Sequence, residues 1–132
     1  MPNPNAVKGH NWERKFIIDI KSFWPYAEST RSSSRKLDDT GVDVNGVPPL
    51  IQLKATEMRP NFQKLYEKMI TQVDKLFPPH EAKEMKKRPY VVIHKDTTRR
   101  AGKGKPHVET MTFDYQTGLL LLELYAKHLE DG

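Results

Sequence analysis

Four polar side chains stand where apolar ones belong. Leu50-Ile51-Gln52-Leu53-Lys54 reads as a strand that ends in an amide and an ammonium, and Asp43 precedes it in Val42-Asp43-Val44, across an Asn45-Gly46 turn. Side chains alternate along a strand, so Leu50, Gln52 and Lys54 share one face while Ile51 and Leu53 take the other. Glu13 is the fourth. With Trp12 set at 0° and about 100° per residue, Phe16 falls near 40°, Ile20 near 80°, Trp24 near 120° and Glu13 near 100°, inside the apolar stripe of a helix. A carboxylate on that stripe is costly unless something pairs with it. Either the helix dipole and solvent hold it at the first turn, or it is aimed at a polar site on the edge of the core. Asp43 and Glu13 are hard oxygen ligands. Together with the Gln52 amide oxygen and a nearby backbone carbonyl, such as that of Leu53, they suit Mg²⁺ or Mn²⁺. A lysine beside such an ion holds or polarises a water and stabilises a pentacovalent phosphate. Metal plus lysine is an arrangement for hydrolysing a phosphodiester.

The elements that must position these groups follow from periodicity. Residues 1–7, with two prolines and two asparagines, read as a flexible arm, which leaves 8–132 as a single domain. A helix is expected from about Gly9 to Trp24, with Trp12, Phe16, Ile20 and Phe23 on its apolar face and Pro25 as its stop. Tyr26–Arg31 reads as a short strand and Ser32–Gly41 as a polar loop. Val42–Val44 and Pro48–Ala55 read as two strands of a hairpin-like meander. A second helix starts near Pro60 and buries Phe62, Tyr66, Met69, Ile70, Val73 and Phe77. Arg88–Lys95 and His107–Phe113 read as strands. The last helix carries leucines almost all the way round, so burial on more than one side is expected, with a partner subunit as one way to supply it. The order is helix, three strands, helix, strand, strand, helix, an α/β sandwich around a small mixed sheet flanked by helices.

At 132 residues the chain has the size of one domain. With no cysteine it has no disulfide framework and no thiolate chemistry, which fits the cytoplasm. Its first residues lack the apolar core of a signal peptide, and no apolar run approaches a membrane span. The five histidines are scattered, so zinc is not expected. "RAGKGKP" lacks the spacing of a nucleotide phosphate loop, so no nucleotide cofactor is expected either. The net charge of +5 is unevenly spread: Lys83–Lys105 carries +7 and the remainder −2. A basic segment on a balanced domain suggests a nucleic-acid partner, although a solvated lysine-rich loop is the alternative. Arg99, Arg100, Lys103 and Lys105 are the candidates for contacting a DNA backbone. Arg31, Ser33, Ser34 and Arg35 are candidates for holding a phosphate near the metal, or else form an ordinary polar connection.

In order and context, Glu13, Asp43 and Gln52-Leu53-Lys54 resemble the PD-(D/E)xK nuclease superfamily, in which a helix bears a glutamate, a strand an aspartate and the next strand (E/Q)-x-K. The expected αβββαβ order is similar to that superfamily's restriction-endonuclease-like core. "KGHNWERKF" resembles the opening of archaeal-type and phage Holliday junction resolvases, as does the serine-rich "RSSSRKLDDTGVDV". The Val-Asp-Val and Gln-Leu-Lys pair is also similar to Mrr-like nucleases, which use glutamine in this motif. The resemblance covers roughly residues 8–95. It implies a Mg²⁺-dependent DNA endonuclease, with Glu13, Asp43 and Gln52 on the metal, Lys54 on the attacking water, a branched-DNA substrate and a homodimer. A phage or prophage origin would suit it. Gln52 departs from the usual glutamate and removes one negative charge. Asp39 is the alternative first aspartate, and Asp43 is preferred because it lies in a strand. The competing expectations are a restriction-like or nicking nuclease on duplex DNA, and a non-catalytic DNA-binding protein on a nuclease scaffold; RNA is a further possible partner.

Overall fold

A computed structural model describes residues 4–98 and 108–131, with backbone only for 4–8. Helix α1 spans Pro4–Ile20, so it begins inside the segment expected to be an arm. Short elements follow: β1 Glu28–Ser29, α2 Thr30–Ser33, α3 Arg35–Asp38 and β2 Val44–Asn45. The second half holds β3 Leu50–Thr56, α4 Phe62–Leu76, α5 Pro79–Lys86, β4 Tyr90–Asp96, β5 Thr110–Thr112 and α6 Tyr115–Asp131.

The sheet is mixed. β3 runs parallel to β4, with Gln52 opposite Val92 and Lys54 opposite His94, and β5 is antiparallel on the other side of β4. β2 pairs with β1, Ser29 opposite Val44, where the sequence suggests a hairpin with β3. Asp43 stitches the two sheets together: its N–H donates to Ile51 O at 2.8 Å and its carbonyl accepts from Thr30 N–H at 3.1 Å.

Each face of the sheet has its own core, as strand alternation demands. On one side Trp12, Phe16 and Ile20 of α1 bury Ile51, Ile93, Val44 and Val47. On the other, Met69 and Val73 of α4 and Ala82 and Met85 of α5 cover Leu50, Tyr90 and Val92. This is a three-layer α/β/α arrangement, with Gln52 and Lys54 on the α4 side.

Several boundaries differ from expectation for local reasons. α1 stops at Ile20, where Phe23 and Trp24 N–H both turn back to Ile20 O. Phe23 therefore leaves the stripe, is exposed, and packs edge-on against Trp24. The serine-rich loop folds into α2 and α3 because Ser29 and Ser34 cap them, accepting from Arg31 and Leu37 N–H. "FPPH" ends α4 but also begins α5, since Pro79 suits a first helical turn.

The expected burial of α6 is not found: none of its residues is buried, and Leu122 and Leu129 are 67% and 61% exposed. α1, α4 and α5 already cover both faces of β3 and β4, so among the described residues the two cores are closed without α6.

Gly46 carries the turn after β2 with φ +80°, and a Cβ there would lie 2.3 Å from Tyr26 O. Gly46→Ala combines a left-handed backbone with a clash against backbone. It is expected to cost more than about 2 kcal/mol, read as a lower midpoint in urea unfolding.

Candidate active site

Asp43, Gln52 and Lys54 converge on one pocket of about 300 Å³. Asp38 at the end of α3, Asp39, Thr40 and Gly41 from the α3–β2 connection, and Leu65 and Lys68 from α4 complete its wall. Strand alternation brings Gln52 and Lys54 there. Asp43 arrives at the same edge because it ends the connection into β2.

The Asp43 carboxylate is anchored on one oxygen: Leu53 N–H donates to Oδ2 at 2.7 Å. Burial pushes its carboxyl up to about 7 from an ordinary 3.8; the Leu53 N–H opposes the rise, the carboxylates of Glu13 and Asp38 add to it, and the Lys54 ammonium opposes it. Burial is thus the main reason the carboxyl is raised, and the Lys54 ammonium offsets only part of it. Asp38 lies beside Thr30, a buried residue whose single hydroxyl proton is shared between Val42 O at 2.7 Å and Asp38 Oδ1 at 3.2 Å. Asp39, the alternative aspartate, caps the C-terminus of α3 and sits on the pocket rim.

Glu13 is buried on the apolar stripe, as its angular position requires, at 8% exposure. It does not line the pocket. Its Oε1 accepts from the Ser29 hydroxyl and from Arg31 Nη2, the latter at 3.1 Å. Arg31 is thus a partner of Glu13. Ser33 and Ser34 are occupied by local bonds: Ser33 Oγ donates to Ser29 O, and Ser34 caps α3. Arg35 is exposed at the start of α3. Arg99, Arg100, Lys103 and Lys105 lie outside the described residues.

Gln52 is 8% exposed, and its Oε1 accepts from the Tyr90 hydroxyl at 2.5 Å. Burial, and then the charge of Asp43, raise the Tyr90 phenol above its usual value, so it stays a neutral donor. Beside Lys54 on the neighbouring strand, buried His94 places Nε2 2.9 Å from Thr56 O. A carbonyl can only accept, so that nitrogen carries the proton. Tyr90, Asp38 and Lys68 are site residues that sequence patterns do not single out. Tyr90 reads as an ordinary strand aromatic and Lys68 as one of several surface lysines, and only the β3–β4 register and the seat of α4 bring them here. Tyr90→Phe leaves the buried Gln52 oxygen without its donor. A loss of about 1–2 kcal/mol in stability is expected, measured by denaturant unfolding.

Among the described residues no three His, Asp or Glu side chains gather into a ligand set for a metal ion. The pocket still fits a hard cation that keeps most of its own waters: it offers the second oxygen of Asp43, with the Asp38 carboxylate close enough to act on it, and one or two carboxylates suffice for Mg²⁺. A cation beside Asp43 would favour the ionised form that burial disfavours. Among the described residues no helix is long and apolar enough to cross a membrane. No protein-family model, no curated protein and no solved structure matches the chain.

Proposed function

We propose that this protein is a divalent-metal-dependent endodeoxyribonuclease, with branched DNA such as a four-way junction as its preferred substrate and a homodimer as its working form. The observation that carries the reading is the meeting of Asp43, Gln52 and Lys54 in one open pocket at the sheet edge, with the Asp43 carboxyl raised by burial and neighbouring carboxylates. Asp43 would hold Mg²⁺ or Mn²⁺ with help from Asp38 and the backbone of β3. When bound, such an ion supplies a more acidic water and offsets charge on the phosphate. The ammonium of Lys54 faces the same pocket and orients water toward a phosphate there, stabilising the charge that builds on its oxygens. Tyr90 fixes Gln52, and Glu13 fixes Arg31 and Ser29 at the side of the site. Glu13 acts by positioning β1 and α2, while its field on Asp43 strengthens cation binding.

The exposed leucines of α6 support the dimer, because a monomer has no use for Leu122, Tyr125 and Leu129 facing water. Two sites on one assembly would cut two strands.

One observation favours a second reading, a DNA-binding protein without catalysis on a nuclease scaffold. The buried Gln52 oxygen already accepts from Tyr90, so only its second lone pair is left for a metal, which weakens the expected ligand set. A panel of labelled four-way junction, nicked duplex and linear duplex, each incubated with Mg²⁺ and Mn²⁺, separates these readings. Preferential cutting of the junction is expected. Equal cutting of linear duplex overturns the junction preference, and binding without cutting favours the scaffold reading.

A further inference from the structure

Pocket and surface meet along α4. The exposed face of this helix carries Lys64, Lys68 and Lys75 at intervals of four and seven residues, which places them on one side of the helix. They line a shallow groove with Glu67, Thr71 and Gln72. None of the three lysines is in an ion pair among the described residues; neighbouring Asp74 is neutralised by Lys86 at 2.6 Å, while Glu67, held by the neutral Gln63 amide at 3.0 Å, keeps its charge, so the three lysines outnumber one carboxylate in the groove. The row runs into the candidate site at its inner end: Lys68 also lines the pocket of Asp43 and Lys54, and Lys64 shares a second groove with Lys54. From Lys64 to Lys75 the rise is about 16 Å, or nearly five steps along one DNA strand.

We propose that this face of α4 is the track for the DNA backbone, with Lys64 and Lys75 on phosphates flanking the reacting one and Lys68 on the phosphate beside it. The proposal rests on the nuclease reading for its substrate, but its contacts are purely electrostatic and need no cleavage. The track carries positive charge on a rigid, well-anchored helix: Met69 and Val73 are buried beneath it and Asn61 caps its start. Lysines so placed hold phosphates without reading bases.

Binding of a labelled four-way junction in EDTA, titrated over a range of salt, tests it apart from catalysis. Two charge-matched double variants are compared with wild type: Lys64→Gln with Lys68→Gln, and Lys15→Gln with Lys21→Gln, all four positions being exposed. The α4 double is expected to bind at least about tenfold more weakly near 0.15 M salt and to lower the salt slope by about 2, while the other double stays close to wild type. Arginine at positions 64 and 68 is expected to restore both. Equal losses in the two glutamine doubles, or none in the α4 double, overturn the track while leaving the nuclease reading intact. Tight binding by wild type through α4 without cutting in Mg²⁺ supports the track and overturns the nuclease reading.

Discussion

If the proposed nuclease reading holds, Lys54→Ala is expected to lower Mg²⁺-dependent cleavage of a junction by about 10²–10³-fold, and Asp43→Ala by at least as much, with DNA binding changed far less. The expectation follows from what each group does. Lys54 is partly buried on the same strand face as Gln52, close enough to Asp43 to pull its carboxyl down. An ammonium in that place acts on charge that develops only in the transition state, so its removal falls on turnover more than on affinity. A single preorganised electrostatic donor is worth about 3–4 kcal/mol in such sites. Single-turnover rates at saturating enzyme measure the effect. Variants that both keep the wild-type rate would show that any cleavage comes from elsewhere. Lys54→Arg keeps the charge but not the compact ammonium, and partial rescue is expected.

The second large effect is on stability and has a definite sign. Asp43 in the folded protein holds its proton up to about pH 7, against 3.8 ordinarily. Its folded value is raised, so the associated stability is fully present below about pH 4 and is lost as pH rises through 7. At pH 8 without metal, the ionised carboxylate costs roughly 4 kcal/mol. Asp43→Asn removes that charge and keeps an oxygen for the Leu53 N–H. It is expected to be more stable than wild type at about pH 8 in EDTA by a few kcal/mol, with the gap narrowing through about pH 6 and nearly closed at about pH 4. Mn²⁺ should close the gap from the other side, stabilising wild type at about pH 8 but not Asp43→Asn. Urea unfolding across pH, with and without Mn²⁺, measures both. Parallel pH profiles for the two proteins would mean that Asp43 is not the charged centre of the pocket.

Much of this site is legible in the amino-acid sequence, for reasons that are local. Gln52 and Lys54 share a face with Leu50 because strands alternate, and Glu13 lies on the α1 stripe because helices advance by about 100° per residue. Both rules act within one element. The features that sequence does not reveal depend on how elements meet. Tyr90 reaches Gln52 only through the parallel β3–β4 register, in which Leu50 stands opposite Tyr90. Lys68 joins the pocket only once α4 is laid over that face. Arg31, a candidate phosphate ligand by its place beside the serines, also pairs with Glu13, which periodicity does not reveal. The leucines of α6 mislead for a related reason: periodicity reports apolar surface, and nothing in it says whether this chain or another covers that surface.

The most direct test is cleavage by the purified wild-type protein of a labelled four-way junction, with Mg²⁺, with Mn²⁺ and with EDTA, beside Asp43→Ala and Lys54→Ala. Strand scission that requires the divalent ion and disappears in both variants is the predicted result. Tight binding with no scission under either ion, or scission that persists in both variants, would contradict a metal-dependent nuclease centred on Asp43.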